Sequence, residues 1–184
     1  MKAKVNKVTV KLIKGDILAP DVDAIVNATD TTLSLPPALA DRAGPEVVQE
    51  CRRIGWCDVG SAVATSAGNL PHQWIIHTAG PRWGEGSERG KLAKSVRSIL
   101  QVAEEQRVTS VALPAISTGA QGYPLENCAV TMLSEIIDFT FEPLQHLRAV
   151  TLCLDADMAF QVFKSEFKRQ LDELRANGEG KVKV

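Results

Sequence analysis

Strand-like and helix-like segments alternate along this chain, and that alternation constrains its fold more than any other feature. Val8, Val10 and Leu12 are separated by single residues, which is the pattern of a strand with one buried face. Residues 23–28, DAIVNA, form a nearly continuous apolar run, as expected of a strand covered on both faces. Similar patterns predict further strands at 62–66, 74–78, 108–114 and 148–155.

Segments with a helical period lie between these predicted strands. Within 37–54, Gly44 and Pro45 stand together, so one helix is expected to end there and another to begin. Apolar stripes predict three more helices, at 92–103, 125–137 and 159–171. Alternating strands and helices predict an α/β fold, a three-layer α/β/α sandwich with a central mixed, largely parallel sheet.

A single domain is expected from the length of 184 residues. We assign it to residues 1–176 and expect the polar segment 177–184 to be a frayed tail. Nothing in the sequence indicates an obligate interface, so a monomer is expected. No apolar run approaches the roughly 20 residues that span a bilayer, and the charged N-terminal segment does not resemble a signal peptide. The predicted location is intracellular, in the cytoplasm.

The balance of charges argues against two classes of function. The chain has 21 Lys and Arg residues against 22 Asp and Glu residues, with a net charge of -1 and a pI near 6.3. General nucleic-acid binding and membrane binding need a positive field, so neither is expected. The lysines at positions 2, 4, 7, 11 and 14 are interpreted as the wet face of an edge strand, where they prevent edge-to-edge pairing.

Metal-binding and common catalytic motifs are absent from the sequence. The four cysteines have no CxxC spacing and are interpreted as reduced, packed thiols. His72 and His77 lie on opposite faces of one strand, so a shared metal ion is not expected, and His77 is expected to be a core histidine. The glycines at 55–60 lack the P-loop lysine, those at 84–90 miss the dinucleotide fingerprint, and there is no GxSxG motif. We therefore predict no metal and no cofactor.

Residues just after each strand are the candidates for a binding site, because ligands of open α/β sheets lie outside the carboxyl ends of the strands. The strongest candidate is the loop 114–124, PAISTGAQGYP, which joins a strand to a helix and contains Gly119 and Gly122. Small residues allow close approach, and successive amides beside a helix N-terminus form a nest for phosphate oxygens. By itself the segment is also typical of a plain tight turn, which is the commoner structure.

Two further turns carry polar groups at strand ends. Asp16 and the main-chain amide of Ile17 match the exocyclic amine and ring nitrogen of adenine. In the alternative, Asp16 only caps its own turn. Asn27 and Asp30 follow the buried strand and are able to touch a sugar, although Asn27 can equally bond the neighbouring backbone.

Taken in order, the motifs of this chain resemble those of the macrodomain family, whose members are ADP-ribose-binding α/β/α modules. The matching segments are VKLIKGDI at 10–17, DAIVNA at 23–28, RAGPE at 42–46, IIHTAGP at 75–81, LPAISTG at 113–119 and GYP at 122–124. Two more, SAGNLP at 66–71 and Trp83-Gly84, are similar to the histone macroH2A type. The resemblance covers about residues 7 to 171 and implies the fold of that family.

The resemblance also implies a ligand and the residues that hold it. Asp16 and Ile17 would contact the adenine, and Leu154 would pack on it where several relatives carry an aromatic ring. Gln121 takes the place of an aromatic residue that relatives often hold against the distal ribose. The diphosphate would lie in the loop of Ser117, Thr118, Gly119, Ala120, Gln121 and Gly122.

The largest departure from the family pattern follows Asn27. Asp30 replaces a second asparagine, and TTLSLPPA at 31–38 replaces a longer glycine run that grips the diphosphate from the other side. Prolines donate no amide hydrogen, so this loop is not expected to cradle oxygens. An ionised carboxylate about 6 Å from a diphosphate charge costs on the order of 2 to 3 kcal/mol. Half of the anion site is therefore expected to be missing.

Three functions remain open on this basis. The first is binding of ADP-ribose, a related adenine nucleotide or an ADP-ribosylated protein, with weak or no catalysis. The second is hydrolysis of ADP-ribose from proteins or processing of an ADP-ribose phosphate, with Asn27 and Asp30 as catalytic residues and Asp30 as general base if its pKa is raised. The third is a nucleotide-independent protein-interaction module in which Leu33, Leu35 and Leu154 fill or cap the cleft.

Overall fold

The computed structural model describes all residues from 1 to 184. Eight strands and five helices follow one another along the chain. They are β1 (Lys2–Val5), β2 (Val8–Lys14), β3 (Ala24–Thr29), α1 (Pro37–Ala43), α2 (Pro45–Ile54), β4 (Ala62–Ser66), β5 (Trp74–Ala79), α3 (Glu88–Glu105), β6 (Ser110–Leu113), α4 (Leu125–Phe139), β7 (Ala149–Leu154), α5 (Asp157–Asn177) and β8 (Val182–Lys183). The expected break between α1 and α2 is present at Gly44, whose φ of +94° suits glycine. None of the helices has the length and apolar character needed to cross a membrane.

All eight strands form one sheet in the order β4-β5-β3-β6-β7-β2-β1-β8. The five central strands pair in parallel. The outer strands β4, β1 and β8 pair antiparallel. Central strands are covered on both faces, which explains why β3 and β7 are nearly continuous in apolar residues. The predicted mixed, largely parallel sheet is confirmed.

Helices cover the sheet on both sides. A core of 34 buried residues lies between the sheet and α3, α4 and α5, and includes Phe163 and Phe167. A smaller core of 14 buried residues lies between the sheet and α1 and α2, and includes Val47 and Cys51. Each large apolar side chain buried in this way contributes roughly 1.5 to 3 kcal/mol relative to an exposed one. The predicted three-layer α/β/α sandwich is confirmed.

Because the five central strands are parallel, all of their carboxyl ends lie at one edge of the sheet. The segments that leave this edge are 15–18, 30–36, 80–87, 114–124 and 155–156. Ligands of open α/β sheets bind at such an edge, so the topology collects every loop that the sequence marked as a candidate.

The C-terminal segment corrects the expectation of a frayed tail at 177–184. α5 ends at Asn177, and residues 182–183 form β8 against β1. Asn6 stabilises the connecting turn. Its main-chain amide donates to the Lys181 carbonyl at 2.7 Å, and its side-chain Oδ1 accepts from the Lys181 main-chain amide at 3.1 Å. Two residues are too short a strand signal to recognise without the partner strand that supplies the hydrogen bonds.

Candidate functional site

A cleft of two adjoining cavities lies at the carboxyl edge of the parallel strands. The first, named the Asp16 cavity, has a volume of about 460 Å³ and is lined by Gly15, Asp16, Ile17, Pro114, Ala115, Thr118, Gly119, Cys153 and Asp155. The second, named the Asp30 cavity, has a volume of about 350 Å³ and is lined by Ala28, Thr29, Asp30, Arg82, Pro114, Ala115, Ser117, Gly119, Ala120 and Gln121. Pro114, Ala115 and Gly119 line both, so the two cavities form one continuous cleft.

The loop after β6 presents a row of free main-chain donors to this cleft. None of the five amides from Ser117 to Gln121 donates a hydrogen bond within the protein. The two residues that follow these five stabilise the loop. The amide of Tyr123 donates to the Ser117 carbonyl at 2.9 Å, and that of Gly122 donates to the Gly119 carbonyl at 3.0 Å. Successive free amides just before a helix N-terminus form an anion-binding nest.

Ser117 is the residue around which this loop turns. Its φ of +66° is a left-handed conformation that costs energy for a residue other than glycine. Its Oγ is buried and has no hydrogen-bond partner. Such an orphaned hydroxyl is costly in a folded protein unless something outside the chain satisfies it.

The turn after β5 is packed tightly against the same loop. A Cβ atom added at Gly80 would lie 2.4 Å from Ser117 Oγ, so only glycine fits there. Gln121 Nε2 donates to the Gly80 carbonyl at 3.1 Å, and the Trp83 amide donates to the Gln121 carbonyl at 2.9 Å. The side chain of Gln121 is therefore engaged in fixing the loop as well as lining the Asp30 cavity.

At the other end of the cleft, Asp16 fits both sequence interpretations. One carboxylate oxygen accepts a hydrogen bond from the Leu18 amide at 2.9 Å, so Asp16 does stabilise its own turn. No hydrogen bond within the protein reaches the other oxygen or uses the amide of Ile17. One acceptor and one donor thus remain available side by side at the Asp16 cavity.

Leu154 does not lie where the resemblance places it. Its side chain is buried in the larger core and lines neither cavity. Alternation along β7 turns the neighbouring Cys153 toward the Asp16 cavity instead, and Asp155 follows at the strand end. Burial, and to a lesser degree the Asp16 carboxylate, raises the pKa of the Cys153 thiol to about 12. Cys153 is therefore a wall of the cavity and not a nucleophile.

Asp30 corrects the expectation of a general base. Its Oδ1 accepts from the Thr32 hydroxyl at 2.6 Å, the Thr32 amide at 2.9 Å and the Ser34 hydroxyl at 3.2 Å. The Thr32 hydroxyl lowers the pKa of Asp30 most; partial burial opposes it, and the Ser34 contacts add to the lowering. A carboxylate stabilised in its ionised form is a weaker base, so the raised pKa that catalysis would need is not present.

The shortened loop points its donors and its leucines away from the cleft. The amides of Thr32 and Ser34 face the Asp30 carboxylate, and the Leu33 amide donates to the Asp30 carbonyl at 3.1 Å. Leu33 is buried in the smaller core, and Leu35 packs against that core. The amides of Thr32, Leu33 and Ser34 are therefore not available to an anion, and the leucines do not fill the cleft.

Asn27 is a buried structural residue that lines neither cavity. Its Nδ2 donates to the Ser34 carbonyl at 3.2 Å and to Nδ1 of His77 at 3.1 Å. The imidazole then donates from Nε2 to the Thr65 hydroxyl at 2.8 Å. Burial, partly offset by Glu50, lowers the pKa of His77 to about 4. Of the two interpretations given for Asn27, bonding within the protein is the one that its hydrogen bonds support.

The structure brings most of the other predicted residues together. Asp16, Ile17, Thr118 and Gly119 line the Asp16 cavity, and Ser117, Ala120 and Gln121 line the Asp30 cavity with Asp30. Gly122 lines neither cavity, and its φ of +73° closes the loop behind them.

Sequence reasoning missed Arg82, which lines the Asp30 cavity together with Asp30. The guanidinium of Arg82 has no ion pair or hydrogen bond, although its amide is anchored on Glu85 Oε1 at 2.8 Å. Arg169, which lines two cavities over α4 and α5, is by contrast paired with Glu166 and Glu173. Arg82 lies three residues after β5, so the strand-end rule that selected the other loops would have found it.

Comparison with known proteins gives these features a context. The family model described as Macro domain matches residues 26–132, more than half of the chain. The macro domain-containing protein TTE0995 of Caldanaerobacter subterraneus is 35% identical over 177 residues, which are 91% of this chain and 99% of that protein. Human ADP-ribose glycohydrolase MACROD2 is 34% identical over 164 residues, covering 85% of this chain and 39% of that protein.

Solved structures show the same similarity. The macrodomain of Oceanobacillus iheyensis with ADP is similar with a TM-score of 0.88 at 28% identity, covering 94% of this chain and 97% of that chain. A mutant of the same macrodomain with ADPR gives a TM-score of 0.87 at the same identity and covers 94% of this chain and 98% of that chain. The family resemblance noted in the sequence is confirmed, and the chain belongs to the macro domain family.

Proposed function

We propose that this protein binds ADP-ribose, or a related adenine nucleotide, in the cleft and turns it over weakly or not at all. The observation that carries the proposal is the row of five unpaired amides from Ser117 to Gln121 beside the orphaned Ser117 hydroxyl. These amides and this hydroxyl are hydrogen-bond donors without an acceptor in the protein, and their arrangement suits a bound anion. The Oceanobacillus iheyensis structures with ADP and ADPR support the choice of ligand.

The two cavities suit the two ends of such a ligand. In the Asp16 cavity, the free carboxylate oxygen of Asp16 accepts from the exocyclic amine of adenine, and the Ile17 amide donates to a ring nitrogen. The diphosphate lies against the amides of 117–121 at the junction of the cavities. The distal ribose then occupies the Asp30 cavity, either free or attached to an ADP-ribosylated protein.

Arg82 offsets part of what the shortened loop has lost. A glycine run would supply amide donors from the side of Asp30, whereas the amides of 32–34 are used inside the shortened loop and its two prolines have none. The unpaired guanidinium of Arg82 provides positive charge and several donors in the same cavity. We assign it the role of stabilising the anionic ligand.

Hydrolysis of ADP-ribose from proteins is the second candidate, favoured by the 34% identity to human ADP-ribose glycohydrolase MACROD2. The chemistry of the cleft argues against efficient catalysis. Asp30 has a lowered pKa, and both hydrogens of the Asn27 amide are already donated inside the protein. A third candidate, a protein-interaction module with a filled cleft, is disfavoured because Leu33 and Leu35 pack into the core.

Calorimetric titration with ADP-ribose tests the proposal, with Gly119→Glu as the diagnostic variant. Gly119 lines both cavities, and a Cβ there meets no atom within 4 Å, so the variant is expected to fold. The new carboxylate lies among the amides that would hold the diphosphate and should weaken binding about 100-fold or more, since repulsion and lost space act together. Gly90→Glu is the matched control, because Gly90 is exposed on α3 and has equally open space.

The unmodified protein and the Gly90→Glu variant are expected to release heat with ADP-ribose. At a ligand concentration of about 100 times Kd, they should gain about 2.7 kcal/mol of unfolding free energy. Absence of any heat or stabilisation at millimolar ligand would contradict binding. Incubation with an ADP-ribosylated protein separates the two candidates: rapid release of free ADP-ribose would favour the hydrolase.

A further inference from the structure

The edge of the sheet formed by β2, β1 and β8 carries a concentration of lysines. Residues 1–14 and 181–184 contain seven lysines and no aspartate or glutamate. All 22 acidic side chains lie elsewhere in the chain. The net charge of -1 therefore conceals a basic region, because the two signs of charge are segregated.

The strand register gathers four of these lysines on one face of the sheet. Lys2 lies directly opposite Lys11 in the β1–β2 pair, and Lys4 lies directly opposite Lys183 in the β1–β8 pair. Residues opposite one another in a ladder project from the same face, and the alternate residues of β1 are buried on the other face. We name this set of four residues the lysine face.

No other part of the protein covers or neutralises the lysine face. All four side chains are exposed, and α5 packs against the opposite side of β2 and β8. None of the four forms an ion pair, and the one lysine of the region that does is Lys14, with Asp157. Like charges directly opposite in a ladder lower the stability of the folded state. A bound anion would relieve this repulsion between the paired lysines.

We propose that the lysine face binds the sugar-phosphate backbone of a nucleic acid without reading its sequence. Side chains two residues apart on a strand are separated by about 6.8 Å, which is also about the advance of a nucleic-acid strand over two nucleotides. The face carries no exposed aromatic side chain on which bases would stack. Among the large exposed apolar side chains, only Val184 adjoins one of these lysines in sequence, and a single valine does not anchor a protein in a lipid surface, which favours nucleic acid over a membrane.

This function is additional to nucleotide binding in the cleft. β2 runs from the lysine face to the turn at 15–18 that lines the Asp16 cavity, so the two surfaces are adjacent without sharing a residue. A nucleic acid on the face leaves the cleft open. The protein would then hold its cleft close to nucleic acid.

The double variant Lys4→Glu/Lys11→Glu tests the proposal without threatening the fold. It converts both lysine pairs into opposite-charge pairs, Glu against Lys2 and Glu against Lys183, so its melting temperature should not fall below that of the parent. The control Arg53→Glu/Lys168→Glu makes the same change in net charge at exposed positions on α2 and α5. Binding is followed by fluorescence anisotropy with single-stranded DNA, RNA and duplex DNA of about 20 nucleotides or base pairs.

The parent and control are expected to bind all three probes at low salt. Neutralising four phosphates predicts that the logarithm of the affinity falls against the logarithm of salt with a slope of about -3.6 on duplex and -2.8 on single strands. The double variant should lose at least about tenfold in affinity while keeping the parent's affinity for ADP-ribose. No binding at low salt, unchanged binding by the double variant, an equal loss in the control, or binding only to phosphatidylserine vesicles would each overturn the proposal.

Discussion

Asp30 and Arg82 place opposite charges in the lining of one cavity. Asp30 is ionised because the Thr32 and Ser34 donors hold its pKa below the ordinary value. Arg82 has no partner that would neutralise it. An anion entering the cavity is therefore repelled by Asp30 and attracted by Arg82. Neutralising Asp30 and removing Arg82 are expected to change the affinity for an anionic ligand in opposite directions.

Arg82→Ala is expected to weaken ADP-ribose binding about fivefold, since removing a charge about 4 Å away in a solvated cleft costs about 1 kcal/mol. Asp30→Asn is expected to strengthen it by up to about fivefold, because asparagine keeps an acceptor for the loop donors without the negative charge. Calorimetry on each variant checks both directions. Arg89→Ala, an exposed charge removal on α3, is the control, and an equal effect there would contradict a specific role of Arg82.

Hydrogen bonds at the ends of helices and strands help to fix the positions of these elements around the cleft. Glu104, in the last turn of α3, accepts hydrogen bonds from the amides of Gln145, His146 and Leu147, just before β7. Burial tends to raise the pKa of Glu104, but the three amides outweigh it and the pKa is lowered. β7 contributes the Cys153 wall of the Asp16 cavity, so this carboxylate helps to place a strand of the site.

Glu104→Ala is expected to lower the unfolding free energy by about 2 kcal/mol, because three amides lose a charged acceptor. Chemical denaturation at neutral pH measures the change. Glu105→Ala is the matched control, since that side chain is exposed and accepts no hydrogen bond, and its effect should stay within about 0.5 kcal/mol. Similar losses in both variants would show that the amides do not depend on Glu104.

A buried histidine links several layers of the molecule. His77 of β5 bonds Asn27 of β3 and Thr65 of β4, and its Nε2 lies 3.8 Å from the Cys51 sulfur of α2. Burial lowers its pKa to about 4, so the folded protein keeps it neutral. Protonation of His77 Nδ1 would remove the acceptor for the Asn27 side chain, which also donates to the Ser34 carbonyl. Acid is therefore expected to destabilise both this buried network and the loop at 30–34.

Stability should therefore fall as the pH drops from about 6.5 to about 4, because in that range an unfolded histidine binds a proton that His77 in the folded state does not. Above about pH 6.5 this contribution is complete, and its loss at about pH 4 is on the order of 3 kcal/mol. Denaturation across this range measures the slope. His77→Gln should flatten this slope, because it removes the group whose pKa differs between the folded and unfolded states. A slope unchanged by His77→Gln would assign the acid sensitivity to other groups.

Local sequence pattern was sufficient to predict most of the fold and the loop around Ser117 in the candidate site. The continuous apolar run at 23–28 predicted a central strand, and the glycines around Ser117 predicted a nest whose amides are indeed unpaired. Leu154 was placed at the ligand by family position and Asn27 by its position near a strand end. Neither side chain lines the cleft, because a strand buried on both faces gives no sign of which side faces the ligand. The lowered pKa of Asp30 was also out of reach, since it depends on how the loop folds back.

Sequence by itself determined the layers of this protein, the strand-end loops that line its cleft and the absence of a second glycine-rich loop, because periodicity and turn chemistry depend on neighbours along the chain. Tertiary structure alone decided that Leu33 and Leu35 turn inward and leave the cleft open. It alone brought Lys183 beside Lys4. These outcomes depend on contacts between residues far apart in sequence, which only strand register and packing establish.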